Sequence, residues 1–401
     1  MSLLEYQDQT WVIGVSGGPD SMALLDMAYH AKVLCIVVHV NYHKRDSANR
    51  DQQVVEAYCR KNDIPLYVYD AYQTNKGNFQ AWARDYRYSK MKECVLNHHG
   101  KGIMVGHHLD DHIETFVMQE QRKSLASYYG LQASTNHLGI NLLRPLLSYS
   151  KQDLINYCHQ KDITFGLDES NDDLKYTRNS VRQKLRSISS DKTKTILEKI
   201  IDLNETHQNM LNQCKHLLPL TEIKLSDYKT QSHPTLFLFE WIKQHTSLNK
   251  ISLKYLNEIH RQIDSSNKIT IQLDRNHRFI KQYDTLSILN KPKAYHYTYM
   301  LYDELKTPYF RLIPANDKQV SFWLSNEDFP LQIIDFNQYA AHYESPEVIK
   351  MRRYFIKHKI PLRQREAWPI VLNKDNQLIY MGQRTIKSQS CTNTVALFMI
   401  K

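Results

Sequence analysis

Six cysteines, Cys35, Cys59, Cys94, Cys158, Cys214 and Cys391, are scattered singly along 401 residues, with neither a Cys-x-x-Cys pair nor a Cys/His metal spacing. Structural zinc, an iron–sulfur cluster and a disulfide framework are therefore disfavoured. Cys35 falls in a strand pattern and Cys59 and Cys94 in helix patterns, where burial is the default for a thiol. Long apolar runs are missing too: the longest, around Val33 to Val40, is far short of a membrane span, and Met1-Ser2-Leu3-Leu4-Glu5 is not a basic stretch leading into an apolar core. The expected setting is cytoplasmic and soluble, with no membrane partner. Internal repeats and segments of disordered composition are absent. Glycine is rare, 11 in all, yet Gly14, Gly17 and Gly18 fall within five positions. A cluster so placed is unlike compositional noise.

The formal net charge is +10, from 52 basic and 42 acidic side chains. That balance favours a polyanionic partner such as RNA. The length implies two or three domains. Up to about residue 165, β-branched runs at 11–15, 33–40, 65–70 and 102–107 alternate with helical periods near 21–31, 47–61 and 78–98. This alternation predicts an α/β fold with a doubly wound parallel sheet, ligands binding at the carboxyl ends of its strands. Ile196, Ile200, Leu203, Met210, Leu211, Cys214 and Leu217 recur at helical spacing and predict a long linker helix. The expected domains are a catalytic domain at 1–190, the linker at 191–217, a small helical and mixed domain at 218–297 and a β-rich C-terminal domain at 298–401, ending in a basic stretch around Arg352 to Lys359.

Ser16-Gly17-Gly18-Pro19-Asp20-Ser21 lies between the apolar run Trp11 to Val15 and a helical pattern beginning at Ser21. A strand that stops at two glycines and restarts as a helix gathers free backbone N–H groups and the positive end of a helix dipole, a ready phosphate site. The loop lacks the Gly-Lys-Ser/Thr ending of a Walker A motif and the spaced third glycine of a dinucleotide fingerprint. After the last apolar run of the alternating region comes His107-His108-Leu109-Asp110-Asp111-His112-Ile113-Glu114-Thr115. On a helix Asp110 and Glu114 are one turn apart and Asp111 faces Thr115, a carboxylate cluster suited to Mg²⁺ bound with phosphates. Helix capping would account for one of these acids, not for three. Arg84 and Arg87, three residues apart on one helical face, could clamp phosphate or transition-state charge, though solvated surface arginines are the ordinary reading. Asp168-Glu169-Ser170-Asn171-Asp172 runs through Tyr176-Thr177-Arg178-Asn179-Ser180-Val181-Arg182 into a basic helix.

The loop resembles the SGGxDS motif of the N-type ATP pyrophosphatases, the PP-loop superfamily. With His39-Val40-Asn41-Tyr42-His43-Lys44-Arg45, the arginine helix, the HHxDDxxET match and the Ser170 to Arg182 segment, in this order, the chain resembles the tRNA(Ile)-lysidine synthetase family over its first 190 residues. A weaker likeness continues to Lys359-Ile360-Pro361 and Trp368-Pro369. The resemblance implies that ATP adenylates the 2-carbonyl of the wobble cytidine of a CAU-anticodon tRNA(Ile), and that L-lysine displaces AMP. It implies that Ser16, Gly17, Gly18, Pro19, Asp20, Ser21 and His39 bind ATP, that Asp110, Asp111, Glu114, Arg84 and Arg87 carry the chemistry, and that Asp110 and Glu114 hold Mg²⁺. Asp111 is favoured as the base. Arg178, Arg182, Arg352 and Lys359 are implied to bind tRNA. Two positions depart from the family pattern: Tyr42-His43 stands for its usual His-Gly, and Arg122-Lys123-Ser124-Leu125 lacks the glycines of its Arg-Gly-Ser-Gly turn. The alternatives are thiolation of a tRNA cytidine, against which the missing Cys-x-x-Cys argues, an ATP-responsive RNA-binding protein without turnover, and amidation of a small acid. Whether the chain acts as a homodimer stays open.

Overall fold

The computed structural model describes residues 2–44, 47–73, 77–166, 181, 185, 189–248, 250–291, 293–300, 304–314, 321–343, 345–381 and 393–399. The chain divides into two compact units, Met1–Gln213 with Lys250–Leu253, and Cys214–Asn249 with Lys254–Lys401.

The first unit is built on β1 (Thr10–Gly14), β2 (Leu34–Asn41), β3 (Leu66–Asp70), β4 (Ile103–Val105), β5 (Ser134–His137) and β6 (Ile140–Leu143). Their order in the sheet is β3-β2-β1-β4-β6-β5, parallel throughout except for β5, which closes a hairpin on β6. Side chains of the central strands alternate between two buried faces, as the pleat requires. Ile13, Val37, Met104 and Leu143 meet α1 (Pro19–His30), α2 (Ala48–Lys61) and α5 (Lys151–Gln160) on one face. Val12, Ile36, Val38, Ile103 and Val105 meet Tyr88, Met91, Cys94 and Val95 of α3 (Phe79–Asn97) on the other. The fourth helix, α4 (Leu109–Gln121), follows β4. α1 starts at Pro19, two residues earlier than the sequence pattern suggested, because Gly18 is an extended N-cap and proline at N1 is preset for the helix. The strand order reverses between β1 and β4, so the loops leaving their carboxyl ends diverge and open a crevice between them.

A 25-residue helix runs over Ser190–Cys214. In the second unit, β7 (Glu222–Lys224), β8 (Lys268–Gln272), β9 (His277–Gln282) and β10 (Thr285–Asn290) form an antiparallel sheet of order β7-β10-β9-β8. Trp241, on the helix Pro234–His245, packs edge-on against Phe279 and donates its indole N–H to the Leu220 carbonyl at 2.7 Å. Two more sheets follow, β11 (His296–Tyr299), β15 (Leu331–Asp335), β16 (Pro369–Leu372) and β17 (Leu378–Tyr380), and β12 (Leu305–Lys306), β13 (Phe310–Pro314), β18 (Asn393–Met399) and β14 (Phe322–Leu324), each in that order. Phe310, Leu312, Phe322, Leu324, Ile333 and Val371 share one core. The basic stretch does not end the chain: Arg352 lies on the helix Pro346–Lys357, with β16 to β18 still to come. That helix and its neighbours Phe336–His342 and Leu362–Glu366 interrupt a region whose sequence reads as mostly β. Arg278 and Glu366, both about nine-tenths buried, form a bidentate pair at 2.8 and 2.5 Å that fastens the last of these helices to β9.

Candidate active site

The loop after β1 is braced by its own serines. The Ser16 N–H donates to Ser21 Oγ at 3.0 Å, the Ser21 hydroxyl donates to the Gly18 carbonyl at 3.0 Å, and the two hydroxyl oxygens are 3.1 Å apart. Gly17 has φ +90, and a Cβ there would stand 2.7 Å from the Asp51 carbonyl oxygen. Its own carbonyl accepts the Gly166 N–H at 2.8 Å. Because Gly18 offers no side-chain cap, the first N–H groups of α1 are left for an anionic ligand.

A cavity of about 400 Å³ opens at this loop, walled by Ser16, Gly18, Pro19 and Asp20 and, from other elements, His39 and Arg87. A second, of about 180 Å³, shares Ser16, Asp20 and Arg87 and reaches Ser21 and His107. His39 is buried and its Nδ1 lies 2.9 Å from the Val15 carbonyl. Burial lowers its pKa, keeping the ring neutral with Nδ1–H donating to that carbonyl. Arg87 stands in both walls with its Nε buried and without a hydrogen-bond partner, a donor that an anionic ligand would satisfy. Arg84, expected on the same face, is exposed, lines neither cavity and sits with its guanidinium carbon 5.2 Å from the Tyr88 ring centre. Three residues turn a helix by about 300°, and the remaining 60° separates the two arginines.

The acids of α4 are held in a capping box. His108 is the N-cap; its Nδ1 accepts the Asp110 N–H at 3.2 Å, and Asp111 Oδ2 accepts the His108 N–H at 3.2 Å. That tautomer places the ring proton on Nε2, 3.6 Å from Asp20 Oδ2 and 3.5 Å from Asp111 Oδ2. His108 thus spans the loop carboxylate and the helix carboxylate, a role the sequence reading did not assign although the residue lies in its motif. Asp110 Oδ2 accepts the Lys151 N–H at 2.9 Å, at the start of α5, and Glu114 is 1% exposed. Asp111 therefore stands beside the loop across His108, while neither it nor Asp110 nor Glu114 is in the walls of either cavity. Among the described residues, no group of three His, Cys, Asp or Glu side chains is arranged to cage a metal ion.

His43, where the family pattern has glycine, keeps a left-handed backbone at φ 50. Tyr42 donates its hydroxyl to the Ala83 carbonyl at 2.8 Å and packs against Phe79 and Trp82. In the divergent turn, Lys123 has φ 49 and Ser124 forms a β-bridge with Ser252. Arg178 and Arg182 lie outside the described residues; Arg352 and Lys359 are exposed in the second unit. The five described cysteines are free and buried. Burial pushes Cys35 and Cys59 up to about 12 and Cys94 and Cys158 up to about 11, so these thiols are not nucleophiles near neutral pH.

Residues 2–188 match the model of the PP-loop domain. The tRNA(Ile)-lysidine synthase of Ureaplasma parvum serovar 3 is 35% identical over 295 residues, spanning 72% of this chain and 82% of that one. That of Mycoplasma mycoides subsp. mycoides SC is 29% identical over 397 residues, 93% of this chain and 96% of its own. That of Mycoplasma genitalium is 37% identical over 201 residues, 50% and 69% of the two chains. With a glycine-rich loop and an acid-bearing helix leaving adjacent strands at one switch point, and with likeness of this extent, the chain belongs to the tRNA(Ile)-lysidine synthase family.

Proposed function

We propose that this chain uses ATP to adenylate the 2-carbonyl oxygen of the wobble cytidine in a CAU-anticodon tRNA(Ile), then joins the ε-amine of L-lysine to that carbon, converting AUG decoding to AUA. The observation that carries the proposal is the placing of Asp20 and Asp111 on either side of His108, where the loops from β1 and β4 meet.

In the first step the cytidine oxygen attacks the α-phosphorus and the bond to the pyrophosphate oxygen breaks. The N–H groups at the start of α1 hold the departing pyrophosphate, and Arg87 offsets charge on the reacting phosphate. In the second step the lysine nitrogen adds at C2, AMP leaves with the former carbonyl oxygen, and the amine gives up a proton. Asp111, fixed by the His108 N–H, accepts that proton as general base. Mg²⁺ bound chiefly through phosphate oxygens at the loop would neutralise phosphate charge; Asp110 and Glu114, assigned to the ion on the sequence, line neither cavity and are not placed here as its direct ligands. Arg352 and Lys359, with Arg178 and Arg182, contribute tRNA affinity through phosphate contacts.

Nucleoside mass spectrometry of tRNA(Ile) incubated with the protein, ATP and lysine tests the reading. A mass increase equal to lysine minus water at the wobble cytidine is expected. Unmodified cytidine, or a gain of sulfur, refutes it.

A further inference from the structure

The two residues that break the family pattern after β2 border an exposed pair of stacked rings. His43 and Tyr72 have ring centres 4.9 Å apart and planes inclined by 6°. Tyr72 is 67% exposed, so among the described residues the pair presents this ring largely uncovered. The lower residue is held by ring and backbone: His43 Nε2 lies 2.6 Å from Asp70 Oδ1, and the His43 backbone N–H donates to Asn41 Oδ1 at 2.9 Å. Asn41 in turn donates to Asn49 and Gln52 at 3.0 and 2.9 Å. Flanking residues Tyr42 and Lys44 stand in the wall of the 400 Å³ cavity, and Lys44 Nζ lies 3.7 Å from the centre of the Phe79 ring. Neither His43 nor Tyr72 lines that cavity. An oriented, solvent-facing ring pair beside a lysine at the mouth of a nucleotide site has the chemistry of a nucleobase platform.

We propose that His43 and Tyr72 form a stacking platform for an unpaired base of the RNA loop that carries the reacting cytidine. The proposal rests on the RNA-modifying reading above. The adenine of ATP offers the same chemistry, but the cavity at the phosphate loop does not extend to these rings, which favours the RNA base. Because neither ring lines the cavity at the loop, the platform is separable from the chemistry by mutation.

The test uses the full-length protein and an anticodon stem-loop RNA with 2-aminopurine beside the target cytidine. Stacking on the platform quenches its fluorescence. Tyr72→Ala should abolish the added quenching and raise KM for tRNA about 10-fold with kcat within about twofold, while Tyr72→Phe preserves both. His43→Gly, which removes the lower ring and leaves the left-handed backbone unstrained, should reproduce the Tyr72→Ala effect. Affinity for ATP should be the same in every variant. Unchanged quenching and KM in Tyr72→Ala would overturn the proposal, and so would a loss of ATP affinity with RNA binding intact, which would assign the rings to adenine. If the wild-type protein forms no lysidine but the quenching pattern holds, the platform stands and the reaction assignment falls.

Discussion

Gly17→Ala should cost the protein its nucleotide before it costs the fold. At φ +90 an alanine is strained by about 1–3 kcal/mol. Its Cβ would also stand 2.7 Å from the Asp51 carbonyl oxygen and 2.9 Å from Asp51 Cβ, neither of them the end of a flexible side chain. The loop must move, and moving it strains the hydrogen bond from the Gly166 N–H to the Gly17 carbonyl, worth about 1 kcal/mol. The sum of about 2–4 kcal/mol can be relieved only by abandoning the conformation that presents the α1 N–H groups. Gly139→Ala is the matched control. It has φ +80 but no atom within 4 Å of its added Cβ, so it carries the backbone strain without the collision. Calorimetric titration with ATP should show at least a 10-fold loss for Gly17→Ala and wild-type affinity for Gly139→Ala, a ratio equivalent to about 1.4 kcal/mol. Thermal unfolding should report a destabilised but cooperative protein in both. Equal ATP affinity for the two variants would refute the reasoning.

Asp111→Asn retains an oxygen that can cap α4 but loses the base, so modification should slow about 100-fold or more with tRNA affinity little changed; near-normal turnover would reduce Asp111 to a cap. Spent nucleotide should chromatograph as AMP and pyrophosphate, and ADP as product would sink the mechanism. Arg352→Ala and Lys359→Ala should each lower the salt slope of tRNA binding by about one unit, and a constant slope would remove these residues from the RNA contact. Arg278→Ala leaves Glu366 buried and unpaired and should destabilise the protein by about 3 kcal/mol in denaturant titration; a shift under about 1 kcal/mol would contradict that estimate. Burial depresses the His39 pKa, so this ring's contribution to stability is complete above its unfolded value of about 6.5 and is lost as pH falls through the folded one. His39→Gln should flatten the acid side of a plot of Tm against pH, and an unchanged plot would show the ring is not titrating there.

The central strands of the parallel sheet were legible because both faces are buried and the sequence spends β-branched residues on them. β9 was not, since four of its six residues, His277, Arg278, Lys281 and Gln282, are polar. Its Lys281 is nonetheless buried, donating Nζ to the Ser266 carbonyl at 2.6 Å and to the Ile263 carbonyl. The helix Pro346–Lys357 is masked in the sequence by its charge: Val348, Met351 and Phe355 recur at helical spacing, but a basic run is interleaved with them. Within the site, residues contiguous in sequence could be found from their motifs. Asp51 and Gly166 could not, because only the tertiary fold presses them against Gly17.

The contact between Gly166 and Gly17 also orders events in time. The loop is synthesised before the residue that braces it: the N–H that fixes its carbonyl is translated about 150 residues later. At roughly 5–20 residues per second the ribosome takes about 7–30 s to cover that distance. Until Gly166 emerges, the loop waits without its final brace, so nascent chains halted short of it should retain nucleotide poorly even though the signature loop is already present.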